Sequence, residues 1–308
     1  MEIVRLFCTD IAGLRNQALG LAEAAGLTPD LRTLRFRKPW DRIPTSLWFN
    51  PRLAVEADAF ATPLPPVVMG AGGAGARVAA ALRRKDVRAV AIQHPRMALE
   101  KFDAVLAARH DGISGPNVIV TRTALHRVTQ ARLAAEREHW AARFADYRRP
   151  LVAVLLGGSN GRYRFEAAQA HALAAQLAQV AREAGLLITP SRRTAPEVIA
   201  ILRAALEPLG AWIWDFSGEN PYFGMLACAD AVVVTADSVS MVSEAVATHV
   251  PVYLVRLPGK SARIGAFMDA LARDGRVRDF AGRLELWNTA PLDDTAEAGA
   301  ELRRRLGL

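Results

Sequence analysis

The stretch 231–257, AVVVTADSVSMVSEAVATHVPVYLVRL, constrains the fold more than any other part of the chain. Ala231–Thr235 is an unbroken apolar run, the pattern of a strand covered on both faces of a parallel sheet. Asp237, Ser238, Val239 and Ser240 follow, small and mostly polar where a helix should begin. Met241–Thr248 continues that helix, and residues 251–255 form a second buried strand. Backbone N–H groups at a helix start, set at the carboxyl end of a parallel strand, suit an anion. Glu244 lies one turn further on, where a carboxylate can accept hydrogen bonds from sugar hydroxyls. Taken alone, the segment is also an ordinary strand–helix–strand unit.

The same alternation runs through the chain. Strands are predicted at 2–8, 31–36, 66–69, 88–93, 102–107 and 117–121, with helices at 14–25 and 76–84. Residues 37–66, with six Pro and two Trp, read as an irregular connection holding one short helix. A long polar-faced helix is predicted from Ala124 to Arg149, ending before Pro150. The pattern then restarts: strand 151–156, helix 166–184, strand 186–189, helix 196–206, strand 212–214, the opening stretch, and closing helices at 261–273 and 294–306. The predicted fold is α/β, two Rossmann-like domains facing across a cleft. The predicted domains are 1–145 and 146–308, with the last helix crossing back to the first.

Bulk properties narrow the function classes. At 308 residues, 51% hydrophobic and 23% charged, the chain can bury two cores. Two Cys and no Cys/His metal spacing point to a reducing, cytoplasmic setting. No apolar run reaches the length of a membrane span, and residues 1–8 do not resemble a signal peptide. The net charge of +8 favours anionic partners, but only four of the 39 basic residues are Lys and they are scattered. No nucleic-acid module is present, so an anionic membrane surface is the better fit and nucleic acid is not expected as a partner.

Several short constellations sit at predicted strand ends. Gly157, Gly158, Ser159, Asn160 and Gly161 directly follow strand 151–156. Such a loop lets backbone approach a phosphate, though a tight turn also uses Gly. It is neither a dinucleotide fingerprint nor a P-loop. Thr189–Thr194 (TPSRRT) offers Arg192 and Arg193 for a diphosphate, or a plain helix cap with solvated Arg. Asn220 precedes a short helix carrying Tyr222 and Phe223. Gly70, Gly72 and Gly75 nearly match the dinucleotide fingerprint, but the following strand ends in Gln93 and His94 instead of an acid. Close loop–helix packing or acceptor binding explains that loop better than NAD. His94, His110 and Asp111 follow strands of the first half and are candidate bases for an acceptor hydroxyl. Asp10 is a further strand-end acid. The remaining His residues fall in or near helices.

In this order the motifs resemble the mitochondrial-fission-associated family, the "elongated mitochondria" proteins of plants and their bacterial relatives. The resemblance is carried by GLRNQALGLAEA at 13–24, QHPR at 93–96, LGGSNG at 156–161, TPSRRT at 189–194 and the block 220–247, and it covers nearly the whole chain. One departure is Asp10-Ile11-Ala12-Gly13, which stands where that family has an acidic-Gly turn. The family in turn is similar to GT-B glycosyltransferases. The resemblance implies that the C-terminal half binds a nucleotide-diphosphate sugar as substrate, with no cofactor and no catalytic metal. Gly158, Ser159, Asn160, Arg193, Asn220, Ser238, Ser240 and Glu244 would contact it, with Glu244 on the ribose. His94, His110 or Asp111 would supply the base, and the acceptor would be a lipid or glycan, with peripheral contact at the inner face of a membrane. The alternative is a non-catalytic scaffold that keeps the fold and recruits partners to a membrane. A nucleotide-sugar epimerase fits less well, because the dinucleotide fingerprint is incomplete.

Overall fold

The computed structural model describes residues 2–308. In chain order the elements are β1 (Ile3–Cys8), α1 (Ala12–Ala24), β2 (Thr28–Thr33), α2 (Pro51–Ala54), β3 (Val67–Ala71), α3 (Gly72–Leu82), β4 (Arg88–Ile92), β5 (Ala104–Ala108) and β6 (Val118–Thr121). They continue as α4 (Gln130–Phe144), β7 (Leu151–Leu156), α5 (Ala167–Val180), β8 (Gly185–Pro190), α6 (Pro196–Leu206), β9 (Trp212–Ile213) and α7 (Tyr222–Cys228). The chain closes with β10 (Ala231–Thr235), α8 (Val239–Val246), β11 (Val252–Val255), α9 (Ala262–Arg273), β12 (Arg278–Asp279) and α10 (Thr295–Leu306). Two compact units result. One holds the residues up to Arg127 together with Asp293–Leu308; the other is Val128–Leu292.

Each unit is built on a six-stranded parallel sheet. In the first the order is β2-β1-β3-β4-β5-β6, and in the second β12-β11-β10-β7-β8-β9. Every residue of β3, β7, β8 and β10 is buried, as expected for strands with helices on both faces. β2 instead lies at the sheet edge with only intermediate burial over its central four residues. Its sequence, TPDLRT, is polar, which is why the apolar reading placed this strand at 31–36 rather than 28–33.

The order within each sheet fixes where ligands go. The second unit runs outward from β7 through β8 and β9, then returns to add β10, β11 and β12 on the other side of β7. The gap between the loops after β7 and β10 is therefore a topological switch point, the position at which open α/β sheets bind ligands. In the first unit the switch point lies between β1 and β3. There the glycines serve packing. A Cβ on Gly75 would stand 2.3 Å from the Phe7 carbonyl oxygen, and one on Gly70 would stand 2.0 Å from that of Gly75.

The long helix differs from the sequence expectation, whereas the last helix joins the first unit as expected. The long helix begins at Gln130, with Thr129 as its N-cap accepting from the Arg132 N–H at 3.1 Å, and it ends at Phe144. It is not a free connector. Its buried face of Leu133, Trp140 and Phe144 belongs to the core of the second unit. Trp140 lies over Gly224 of α7, where an added Cβ would stand 2.3 Å from the indole ring. The unit boundary accordingly falls at Arg127–Val128, ahead of this helix. The last helix, α10, packs on α1: Ala298, Leu302 and Leu306 join the core of the first unit, and Arg303 donates to the Ala25 carbonyl at 2.8 Å. Arg122 anchors its start through the carboxylate of Asp294, at 2.9 Å from Nε to Oδ1.

Candidate functional site

Three turns meet at the β7/β10 switch point. The first is the loop after β7. The Gly157 N–H donates to Thr235 Oγ1 at 2.7 Å, and the Gly158 N–H donates to Asp237 Oδ2 at 3.2 Å, which ties the loop to the end of β10. The glycines are required by proximity. A Cβ on Gly157 would stand 2.2 Å from the Asp237 carboxylate, and one on Gly158 would stand 2.1 Å from the Arg193 carbonyl oxygen. The second turn follows β8. Thr194 Oγ1 donates to the Gly157 carbonyl at 2.5 Å, and Arg193 donates to the Gly158 carbonyl at 3.0 Å and to Asp237 Oδ2 at 2.9 Å. The third turn is the start of α8, capped by Ser238, whose hydroxyl accepts from the Met241 N–H at 3.4 Å.

Asp237 joins all three turns. Its side chain is fully buried, while the Arg193 side chain is 43% exposed. Oδ2 carries both hydrogen bonds, and Oδ1 is buried without a hydrogen-bond partner among the described residues. A buried carboxylate oxygen with no donor is costly, and this one lies against the backbone of Gly157. The sequence reading passed over Asp237, because one acid between a strand and a helix looks like any helix start. Its only sequence signal was its position at a strand end beside Ser238.

The structure distributes the other sequence-derived residues unevenly. Gly158, Arg193, Ser238 and Ser240 lie on the three turns of the switch point. Ser159 and Asn160 do so as well, but their side chains brace the loop. Ser159 Oγ accepts from the Phe165 N–H at 2.8 Å, and Asn160 Oδ1 accepts from the N–H groups of Arg162 and Tyr163 at 2.9 and 3.0 Å. Asn220 is exposed and its side chain accepts from the Tyr222 N–H at 3.0 Å. Glu244 is 3% exposed and accepts from the Tyr222 hydroxyl at 2.5 Å. Burial first, then the charge and hydrogen bond of Glu244, push the Tyr222 hydroxyl well above the ordinary tyrosine range. The pair is held inside the unit, with α7 and α8 each contributing one member.

In the first unit, His94 follows β4, and His110 and Asp111 follow the neighbouring strand β5. His94 Nδ1 accepts from the Arg96 N–H at 3.0 Å, and Asp111 Oδ2 accepts from the Ala108 N–H at 3.3 Å. Two residues here that are not glycine, Gln93 at φ 73° and Arg96 at φ 54°, take left-handed backbone conformations. Such conformations are strained for ordinary side chains and concentrate at functional sites. Asp10 pairs with Arg15 at the exposed end of β1.

Comparison with solved structures identifies the fold. The S. aureus MnaA–UDP structure matches with a TM-score of 0.56 at 10% identity, over 99% of this chain and 89% of that one. The Neisseria meningitidis UDP-GlcNAc 2-epimerase bound to UDP-GlcNAc gives 0.54 at 11% identity, covering 99% and 100% of the two chains. The glycosyltransferase of kitacinnamycin gives 0.54 at 12% identity, covering 99% and 95%. The fold is thus GT-B-like, and because a transferase and an epimerase share it, it does not by itself choose a reaction.

Sequence relatives are more specific. The mitochondrial fission protein ELM1 of Arabidopsis thaliana is 34% identical over 273 residues, which is 79% of this chain and 64% of that protein. The chain therefore spans under two thirds of its plant relative. An uncharacterized protein of Rickettsia prowazekii (strain Madrid E) is 26% identical over 276 residues, 75% of this chain and 77% of that one. The family model for mitochondrial fission ELM1 matches residues 12–306, nearly the whole chain. With the whole second sheet, the first sheet apart from β1, the switch-point turns and the strand-end histidines inside that match, the chain belongs to the mitochondrial fission ELM1 family.

Proposed function

We propose that the second unit binds the diphosphate of a nucleotide sugar at the β7/β10 switch point, as the donor-binding half of a metal-independent GT-B-type glycosyltransferase. The observation that carries this reading is the convergence of Gly157–Gly158, Arg193 and the Asp237–Ser238 helix start on one point. Two proteins of similar fold were solved with UDP or UDP-GlcNAc bound. In this reading an acceptor oxygen attacks the anomeric carbon, and the diphosphate leaves with the electron pair of the broken C–O bond. The N-terminus of α8 and the Arg193 guanidinium stabilise the charge gathering on that diphosphate. His94, His110 or Asp111 takes the acceptor's proton, and a lipid or glycan serves as acceptor.

A second reading is favoured by the internal bonding. Arg193 already pairs with Asp237, and the Glu244 carboxylate is buried against Tyr222. Each must give up a partner before meeting a ligand, which suits a GT-B-like scaffold that retains the fold without turnover and recruits partners to a membrane. Thermal unfolding with UDP-, GDP-, CMP- and dTDP-linked sugars separates the two readings. At a hundredfold excess over Kd a ligand adds about 2.7 kcal/mol, or roughly 5–10 °C in Tm for a unit of this size. The transferase reading expects such a rise with one nucleotide, its loss in Arg193→Ala, and release of nucleoside diphosphate when an acceptor is supplied. No response to any nucleotide would sink it in favour of the scaffold.

A further inference from the structure

The first unit carries a feature that the switch-point site does not use. The segment 45–54 holds three of the chain's exposed large apolar side chains: Leu47 at 67%, Phe49 at 79% and Leu53 at 46% exposed. Scattered single residues of this kind need no explanation, but here three fall within seven positions of one segment. The segment is not slack chain. Trp48, between Leu47 and Phe49, is 2% exposed, stacks edge-on to Phe36 with ring centroids 5.1 Å apart, and donates from its indole to the Ile43 carbonyl at 3.1 Å. From α3, Arg77 donates to the carbonyls of Trp48 and Ser46 at 3.1 and 3.0 Å. Gly73 leaves room for Thr45, whose hydroxyl would stand 2.8 Å from an added Cβ. The segment is thus pinned from beneath, and Phe49 is held out in water.

Beside this segment lies a cleft of about 970 Å³ lined by Trp48 and Phe49 and by basic residues that outnumber acidic ones six to two. Some of that charge is committed. Arg83 is paired with Asp103, Arg84 with Asp86, and Arg77 is spent on backbone carbonyls. Arg88 stands near enough to Asp103 to help hold its carboxyl low, while Lys85 and Lys101 make no ion pair among the described residues. The same face therefore joins a rigid apolar projection to uncommitted positive charge.

We propose that segment 45–54 and the adjoining basic cleft form a docking face for an anionic lipid bilayer. Phe49, Leu47 and Leu53 enter the boundary between headgroups and acyl chains, while Lys85 and Lys101 lie against headgroup phosphates. Charge complementarity selects this occupant, since an apolar protein partner would leave those cations desolvated and unpaired. Docking through a few apolar side chains and cations is reversible and depends on lipid charge. The inference is independent of the nucleotide site, and either can fail alone.

Co-sedimentation of the full chain with vesicles tests it. One vesicle population is pure phosphatidylcholine and the other contains about 30% phosphatidylglycerol. The chain should pellet with the anionic vesicles and not the neutral ones, and added salt should release it. Phe49→Ser should lower the partition roughly tenfold by withholding one aromatic side chain from the apolar phase. The double variant Lys85→Glu, Lys101→Glu should lower it by at least about tenfold. All these side chains are exposed, so both variants should keep the wild-type melting curve, which serves as the folding control. The proposal is overturned if the wild type ignores anionic vesicles, or binds neutral ones equally well. It is overturned too if both variants pellet like wild type. A concentration-dependent dimer abolished by Phe49→Ser would instead assign the face to a second copy of the chain.

Discussion

Replacing Arg193 by Ala should destabilise the second unit with no ligand present. The Asp237 carboxylate is fully buried and accepts from Arg193 at 2.9 Å. Removing one member of a fully buried ion pair costs about 3–5 kcal/mol. Two features reduce that figure here. The Arg193 side chain is 43% exposed, so water reaches the charge it leaves behind, and the Gly158 N–H still donates to Oδ2 at 3.2 Å. A loss of about 2 kcal/mol follows. Asp237→Asn keeps an acceptor but discards the charge, for about 1 kcal/mol. Once the carboxylate is gone, Arg193 has less to offset, so the double variant should fall short of the sum by about 1 kcal/mol. Urea unfolding of the four proteins measures the cycle, and Arg193→Ala should also lower Tm by roughly 4–8 °C. If Arg193→Ala unfolds like wild type, or the cycle closes additively to within about 0.5 kcal/mol, then Asp237 does not hold Arg193, and its place at the centre of the three turns is wrong.

Three more outcomes follow from particular contacts. Gly158→Ala drives a Cβ to 2.1 Å from the Arg193 carbonyl oxygen; both sides of that clash are backbone, so a loss of about 3 kcal/mol is expected in urea unfolding, against a fraction of that for the exposed Gly161→Ala. Tyr222→Phe strips the buried Glu244 of a donor at 2.5 Å and should cost about 1–3 kcal/mol, while absorbance titration of the wild type should find one tyrosine that stays protonated far above the others. Asp294 is pushed up by burial, but the hydrogen bonds and charge of Arg122 outweigh this and hold it below the usual carboxylate range. Its stabilisation is therefore complete above the unfolded value of about 3.9 and is lost as pH falls through the lower folded value. The acid limb of the unfolding curve should flatten in Asp294→Asn, and an unchanged limb would count against the pairing.

Much of the fold was legible because buried parallel strands and capped helices announce themselves locally. The strands β7 and β10 and the helix α6 have the bounds that their apolar runs and early Pro196 suggest. The edge strand β2 was misplaced because an edge needs no continuous apolar run, and the two-residue β12 was missed because nothing local distinguishes it. The helix α4 was read too long, since the lead-in 124–129 contains helix formers whose backbone the tertiary structure uses otherwise. Gly20 of α1 packs against the His126 carbonyl, which an added Cβ would approach to 2.2 Å.

The site divides in the same way. Spacing and composition placed Gly158, Arg193 and Ser238 at strand ends, because hydrophobic periodicity locates strand ends and small or basic residues there are visible one at a time. Which of them meet depends on strand order. β7 and β10 are separated by about half the second unit in sequence, yet they pair residue by residue from Ala231↔Val152 to Val234↔Leu155. That pairing brings Asp237 under Gly157 and beside Arg193, turns Glu244 inward onto Tyr222, and leaves Ser159 and Asn160 bracing their own loop. A sequence records which groups are available, through local patterns of burial and turn chemistry. Which partners each group takes is a long-range property of sheet order and close packing, and only the tertiary structure decided it.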